Sequence, residues 1–144
     1  MIESDTIKLL RECDAGIKMG TASIRDVEDH IKSPEMKEYL EASKKEHEEL
    51  GKEMETLLDK YRDDGKEPNP IAKGMSYMKT NMKLMMEDTD STIADLMIDG
   101  CNMGVKSLNR YLNEYKAADE VSKDMAKRLI NLEEKMAVEL RKYL

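Results

Sequence analysis

Gly65–Ser91, GKEPNPIAKGMSYMKTNMKLMMEDTDS, is the stretch whose reading decides the fold. Its first six residues, GKEPNP, are the only loop-like segment of any length in the chain. Pro70 suits the first position of a helix, because its missing N–H is one that a helix start leaves unpaired anyway. Ile71, Met75, Met78, Met82 and Met85 then recur at spacings of four and three, which predicts a short amphipathic helix over about 71–87. Asp88-Thr89-Asp90-Ser91 reads as a break, with Asp90 or Ser91 able to cap the next helix.

Working outward, the same 3-4 periodicity marks four longer helices. The first spans about 5–31, with Asp5 as its cap and Leu10, Cys13, Ile17, Gly20, Ile24, Val27 and Ile31 as its buried stripe. Ser33-Pro34-Glu35-Met36 restarts the chain: Ser33 caps, Pro34 opens, and Glu35 suits the positive helix end. The second helix, about 34–62, carries Met36, Leu40, Ser43, His47, Leu50, Met54, Leu57 and Tyr61, and stops with Gly65 as the left-handed residue beyond its end. The third, about 91–116, carries Ile93, Leu96, Met97, Gly100, Met103, Gly104, Ser107, Leu108, Tyr111 and Tyr115. Asp119 can cap the fourth, about 119–143, with Ser122, Met125, Leu129, Leu132, Met136, Leu140 and Tyr143 on its stripe.

Each long helix is about 40 Å in length at 1.5 Å per residue. A short turn suffices to join adjacent helices in an up-down order, whereas the stretch from Gly65 to Ser91 is long enough to cross that whole height. The expectation is therefore an all-α single domain over 1–144: an antiparallel four-helix bundle made of two hairpins joined by a long crossover with its own Met-rich helix. The competing reading fuses that helix to the third one as a single rod.

Composition agrees with helices. The chain has 13 Met, no Phe and no Trp, and 38% of its 144 residues are charged, with both signs mixed. A net charge of −7 and the absence of a basic cluster argue against nucleic-acid binding. Residues 1–10 contain Glu3 and Asp5 and no continuous apolar run, so they read as neither signal peptide nor membrane anchor. No segment approaches the roughly 20 apolar residues of a membrane span. A cytoplasmic setting is the expectation. Cys13 and Cys101 read as buried thiols, about 10 Å apart along the bundle axis and so not a disulfide.

Two helical hairpins with LLRECDAGIKMG (9–20), GKEPNPIAKGM (65–75) and IADLMIDGCNMGVKSLNRYLNEYKAADE (93–120) resemble the ferritin-like superfamily, and within it a bacterial family without an established activity. The resemblance implies a fold and carries no function with it. The superfamily's di-iron chemistry needs a Glu on each of two helices and Glu-x-x-His on each of the other two. Here Val27 precedes His30 by three residues, Lys44 precedes His47, and the fourth helix has no His. The ligand set is absent, which argues against a ferroxidase or di-iron oxygenase.

His47 is the residue that most invites a function, because it sits on the seam in mid-helix. Counting outward from the 31–34 turn sets it level with Ile17 and with Gly104. Asp14, His47, Asp99 and Glu133 could then surround one Fe, Mn or Zn ion, as one imidazole and up to three carboxylates. The plainer reading is a buried histidine hydrogen-bonded to a carboxylate or backbone group. The Met stripe of 71–87 has three readings: core packing, which its spacing favours, a face for a partner, or soft ligands for Cu(I). Gly100 and Gly104 suggest close approach of a neighbouring helix, or else a cavity. With two histidines and no nucleophile motif, the sequence points to a non-enzymatic structural or interaction module with no cofactor. A single-ion metal-binding bundle is the alternative. Self-association as a homodimer, through the Met-rich helix or Tyr111 and Tyr115, is a further possibility, as is an unidentified protein partner.

Overall fold

The computed structural model describes residues 2–144, with side chains from residue 4 onward. Met1 and the Glu3 side chain, which entered the reading of the N-terminus, lie outside the described residues. Five helices pack together: α1 (Ile2–Val27), α2 (Pro34–Lys60), α3 (Pro70–Met86), α4 (Asp90–Glu114) and α5 (Glu120–Leu140). Single 3₁₀ turns follow α1 (Glu28–His30) and α5 (Arg141–Tyr143), and no strand occurs among the described residues.

Local chemistry explains most of the boundaries. Ser33 Oγ accepts the Met36 N–H, and Pro34 opens α2. Asn69 Oδ1 accepts the N–H groups of Ile71 and Ala72 ahead of α3, and Asp119 Oδ1 accepts that of Ser122 ahead of α5. Three expectations change. Asp5 lies inside α1, and its carboxylate accepts the Ala117 N–H at 3.1 Å instead of capping. Thr89, not Asp90 or Ser91, caps α4. Asp90 is drawn away because its two oxygens accept the N–H groups of Lys32 (2.8 Å) and Ser33 (2.9 Å) in the α1–α2 turn.

The end of α2 differs as well. Arg62 N–H donates to Asp59 O and Asp63 N–H to Leu58 O, a Schellman closure with Arg62 in the left-handed position at φ 53°. Gly65, expected there, instead takes φ 82° in the loop beyond, where Asp14 leaves no room for a side chain.

These contacts set the direction of every helix. The α4–α5 turn is tied to the start of α1, since Thr6 Oγ1 accepts the Asp119 N–H at 2.9 Å. Lys142, just past α5, pairs with Glu35 at the start of α2 at 2.8 Å. The connection from α2 to α4 therefore leaves from the α1 start and arrives at the α1–α2 turn. A break at Glu87–Thr89 keeps α3 separate from α4.

Carboxylates and cations fix that connection at both ends. At its start the Arg11 guanidinium forks onto Asp63, Asp14 accepts the Lys66 N–H at 2.9 Å, and Lys18 bridges Asp14 and Glu67, each at 2.9 Å. At its end Asp88 pairs with Lys32 at 3.1 Å, next to the Asp90 bonds. Pro68 is buried between these anchors and α3.

Two apolar clusters form the interior. One gathers Leu9, Leu10, Cys13, Ile17, Leu50, Met54, Leu108 and Leu129, and the other Ile24, Met36, Leu40, Leu84, Ile93, Met97, Met136 and Leu140. Each fully buried side chain of this size stabilises the fold by about 1.5–3 kcal/mol. Left-handed geometry costs a non-glycine residue about 1–2 kcal/mol, and Arg62 is exposed. Replacing it, Arg62→Gly, should therefore raise the unfolding free energy by ~1 kcal/mol in urea titration.

Candidate functional site

Between the two clusters lies a polar layer. His47 is fully buried, and its Nδ1 donates to the Ser43 carbonyl at 2.8 Å, which leaves Nε2 as a lone-pair acceptor in the neutral ring. Nε2 has no hydrogen-bond partner. The ring lies over Gly20 of α1, where an added Cβ would come within 2.7 Å of Nε2. Across the molecule the Glu133 carboxylate of α5 lies against Gly104 of α4 in the same way. His47 and Gly104 are each fourteen residues below the shared level of Ser33 and Asp90, so both pairs sit at one height, ~21 Å down.

This corrects the level expected for His47. It faces Gly20, and Ile17 lies instead against Gly51. The 3₁₀ turn and the extended residues after it rise more per residue than an α-helix, so fewer α1 residues fill the same height. Gly104 makes room for Glu133, while Gly100 faces open space and meets no neighbour. Sequence reading placed Gly20 on the α1 stripe without seeing that its missing side chain admits the imidazole.

Of the four candidate metal ligands, the layer holds His47 and Glu133. Asp14 is buried but lies six residues along α1 from Gly20, ~9 Å away, with Lys66 N–H and Lys18 on its oxygens. Asp99 is exposed on α4. Among the described residues no three His, Cys, Asp or Glu side chains gather where they could hold a metal ion. The residues present do not fit a di-iron group either: at this height α1 and α4 offer glycine where that chemistry needs ligands.

Burial dominates the titration of the layer. It pushes the Glu133 carboxyl up to about 8. It also lowers the His47 imidazole, outweighing the Ser43 carbonyl and nearby Glu46, which pull upward. Cys13 and Cys101 are buried free thiols in different clusters, and burial pushes each up to about 12. Thiols held so firmly protonated are poor nucleophiles and poor ligands.

The outer surface of α3 carries the second feature. At 100° per residue, Thr80 and Leu84 define the side that meets the body, and both are buried. Ile71, Met75, Met78, Met82 and Met85 lie diametrically opposite, 61–87% exposed. Met86, beside them, is 87% exposed. The expectation that this stripe packs into the core is therefore wrong. Leu84 alone carries α3 into the upper cluster, and the anchored ends fix the helix with its methionines outward.

No protein-family model, curated protein or solved structure matches the chain. Among the described residues no helix is long and apolar enough to cross a membrane.

The layer gives two predictions. A methyl at Gly20 meets the buried imidazole, so Gly20→Ala should destabilise by ~1–3 kcal/mol despite better helix propensity. Gly100→Ala, in open space, should stabilise by ~1 kcal/mol. Thermal unfolding of both variants separates the two effects.

The second prediction concerns pH. Glu133 binds its proton more tightly folded than unfolded, so its contribution is full at low pH and is lost as pH rises towards about 8. His47 acts oppositely, since its lowered value costs stability only as pH falls below the ordinary 6.5. From about pH 6.5 to 8 the Glu133 effect dominates, with a limiting slope of ~1.4 kcal/mol per pH unit. Urea titrations should show the wild type weakening over that range and Glu133→Gln staying nearly flat.

Proposed function

We propose that the chain is a non-enzymatic interaction module: an antiparallel four-helix bundle of ferritin-like topology whose crossover helix presents a docking face. Two hairpins, α1–α2 and α4–α5, support the topology, together with a connection that returns along the full height between them. The observation that carries the function is the stripe of Ile71, Met75, Met78, Met82 and Met85, directed away from the body. Contiguous apolar surface of this extent on a monomer marks a contact site more often than chance exposure. Methionine suits such a face because its flexible thioether chain repacks against differently shaped partners.

A docking face should be occupied in the cell. A photo-reactive benzophenone amino acid replacing Met78 should form covalent protein adducts when irradiated in the native cells. The same group replacing Met103, exposed at 70% on α4, should form few. Equal labelling at both positions, or none at position 78, would remove the basis for an interaction module.

A further inference from the structure

We propose that the partner of the α3 face is a second copy of this chain, joined in a parallel two-fold pair through α3. This rests on the interaction reading above and names its occupant.

Residues 71, 75, 78, 82 and 85 alternate steps of four and three, the seam of a two-stranded coiled coil, in which each helix meets an identical seam. Thr80 then falls on the side opposite the seam, where it is buried against its own body. Two copies can thus pair with their bodies on opposite sides and without collision.

Five side chains in this line, with Met86 beside them, expose apolar surface on the order of 600 Å², the top of the range for a monomer's largest patch. Two such stripes facing each other approach the ~1,000 Å² that a specific interface requires.

Charge selects the occupant and its direction. Pro70–Met86 contains Lys73, Lys79 and Lys83 and no carboxylate. In an antiparallel pair the flank bearing Lys79 meets the same flank of the other copy, and the like charges repel. In a parallel pair Lys79 faces the flank with Gly74 and Asn81, which is neutral. An anionic lipid surface fits less well: Glu67, Glu87 and Asp88 border the helix, and the chain carries −7 overall.

Sedimentation equilibrium of the full chain across the micromolar range should return twice the 16.6 kDa chain mass. Met78→Glu/Met82→Glu should return the single mass with unchanged helix content by circular dichroism. Should that variant lose helix, Met78→Gln/Met82→Gln serves in its place and should also weaken the pair. Under mild oxidation Ile71→Cys should link to itself, because only a parallel pair brings position 71 to its own counterpart. Cys13 and Cys101 are buried and do not compete. A single mass for the wild type, or a double mass that survives both charged substitutions, overturns the proposal. So does cross-linking of Ile71→Cys only when Met85→Cys is present, the antiparallel result. If benzophenone adducts at position 78 contain only other proteins, the second copy is wrong while the interaction module stands.

Discussion

The Asp14 carboxylate, 4% exposed, accepts the Lys66 N–H and holds the Lys18 ammonium at the point where the chain leaves α2. A charge taken that far from water is tolerable only when it is paired and hydrogen-bonded, and here Lys18 of α1 pairs with it while the loop it restrains supplies the Lys66 N–H. Asp90 does the corresponding work at the other end, on the Lys32 and Ser33 N–H groups. Between these anchors the connection must climb the height of the helices, and its rotation about its own axis is set by what the ends and Leu84 allow. Removing either carboxylate would leave backbone donors unpaired and the helix free to turn. The outward methionines follow from this constraint, since α3 has little else to hold it down.

The polar layer answers a different requirement. Two apolar clusters stacked along packed helices could slip by a turn with little change in buried area. His47 over Gly20 and Glu133 over Gly104 restrict that slip, because a residue with a Cβ in either glycine position would collide with the side chain opposite, and only a shift that brings Gly16 or Gly100 to this height offers another glycine. His47 Nε2 is buried without a hydrogen-bond partner, which costs stability, and burial disfavours the charged form of Glu133. A cost of this kind is consistent with selection for a unique packing, the role best documented for buried polar groups. It also explains why neither residue needs a ligand to account for its burial.

What the sequence made legible was local. Ser33 and Asp119 cap helices because a side-chain oxygen three residues ahead of a donor is a short-range relation. The separate Met-rich helix was readable from Pro70 and from the break after Met86. Asp5, Asp90 and Gly65 take roles other than the expected ones because partners more than fifty residues away, or a closure that tolerates arginine at position 62, override local preference. The same division holds for the candidate site. His47 on a seam position announced its burial, yet its opposite number depended on the rise of six turn residues. Asp99 shares the character of a ligand but not the face, and charge type alone could not reveal that.

Periodicity identifies an apolar stripe but not what lies over it. For α1, α2, α4 and α5 the ambiguity matters less, since each has helical neighbours and turns most of its stripe inward, although Gly100 and Met103 of α4 face outward. α3 meets the body along one side only, and that side contains Ser76, Thr80 and Leu84. Had the apolar side turned inward, Lys73 and Lys83 would remain near the surface, but Thr80 would lose its burial and Leu84 its place beside Ile24 and Ile93. Helix α3 thus places one leucine in the core and leaves Ile71, five methionines and Tyr77 outside it. Burial within a single chain would have used them in the opposite proportion. The proposed pairing of α3 with a second copy accounts for that placement, since the four-three spacing is the seam of a two-stranded coiled coil.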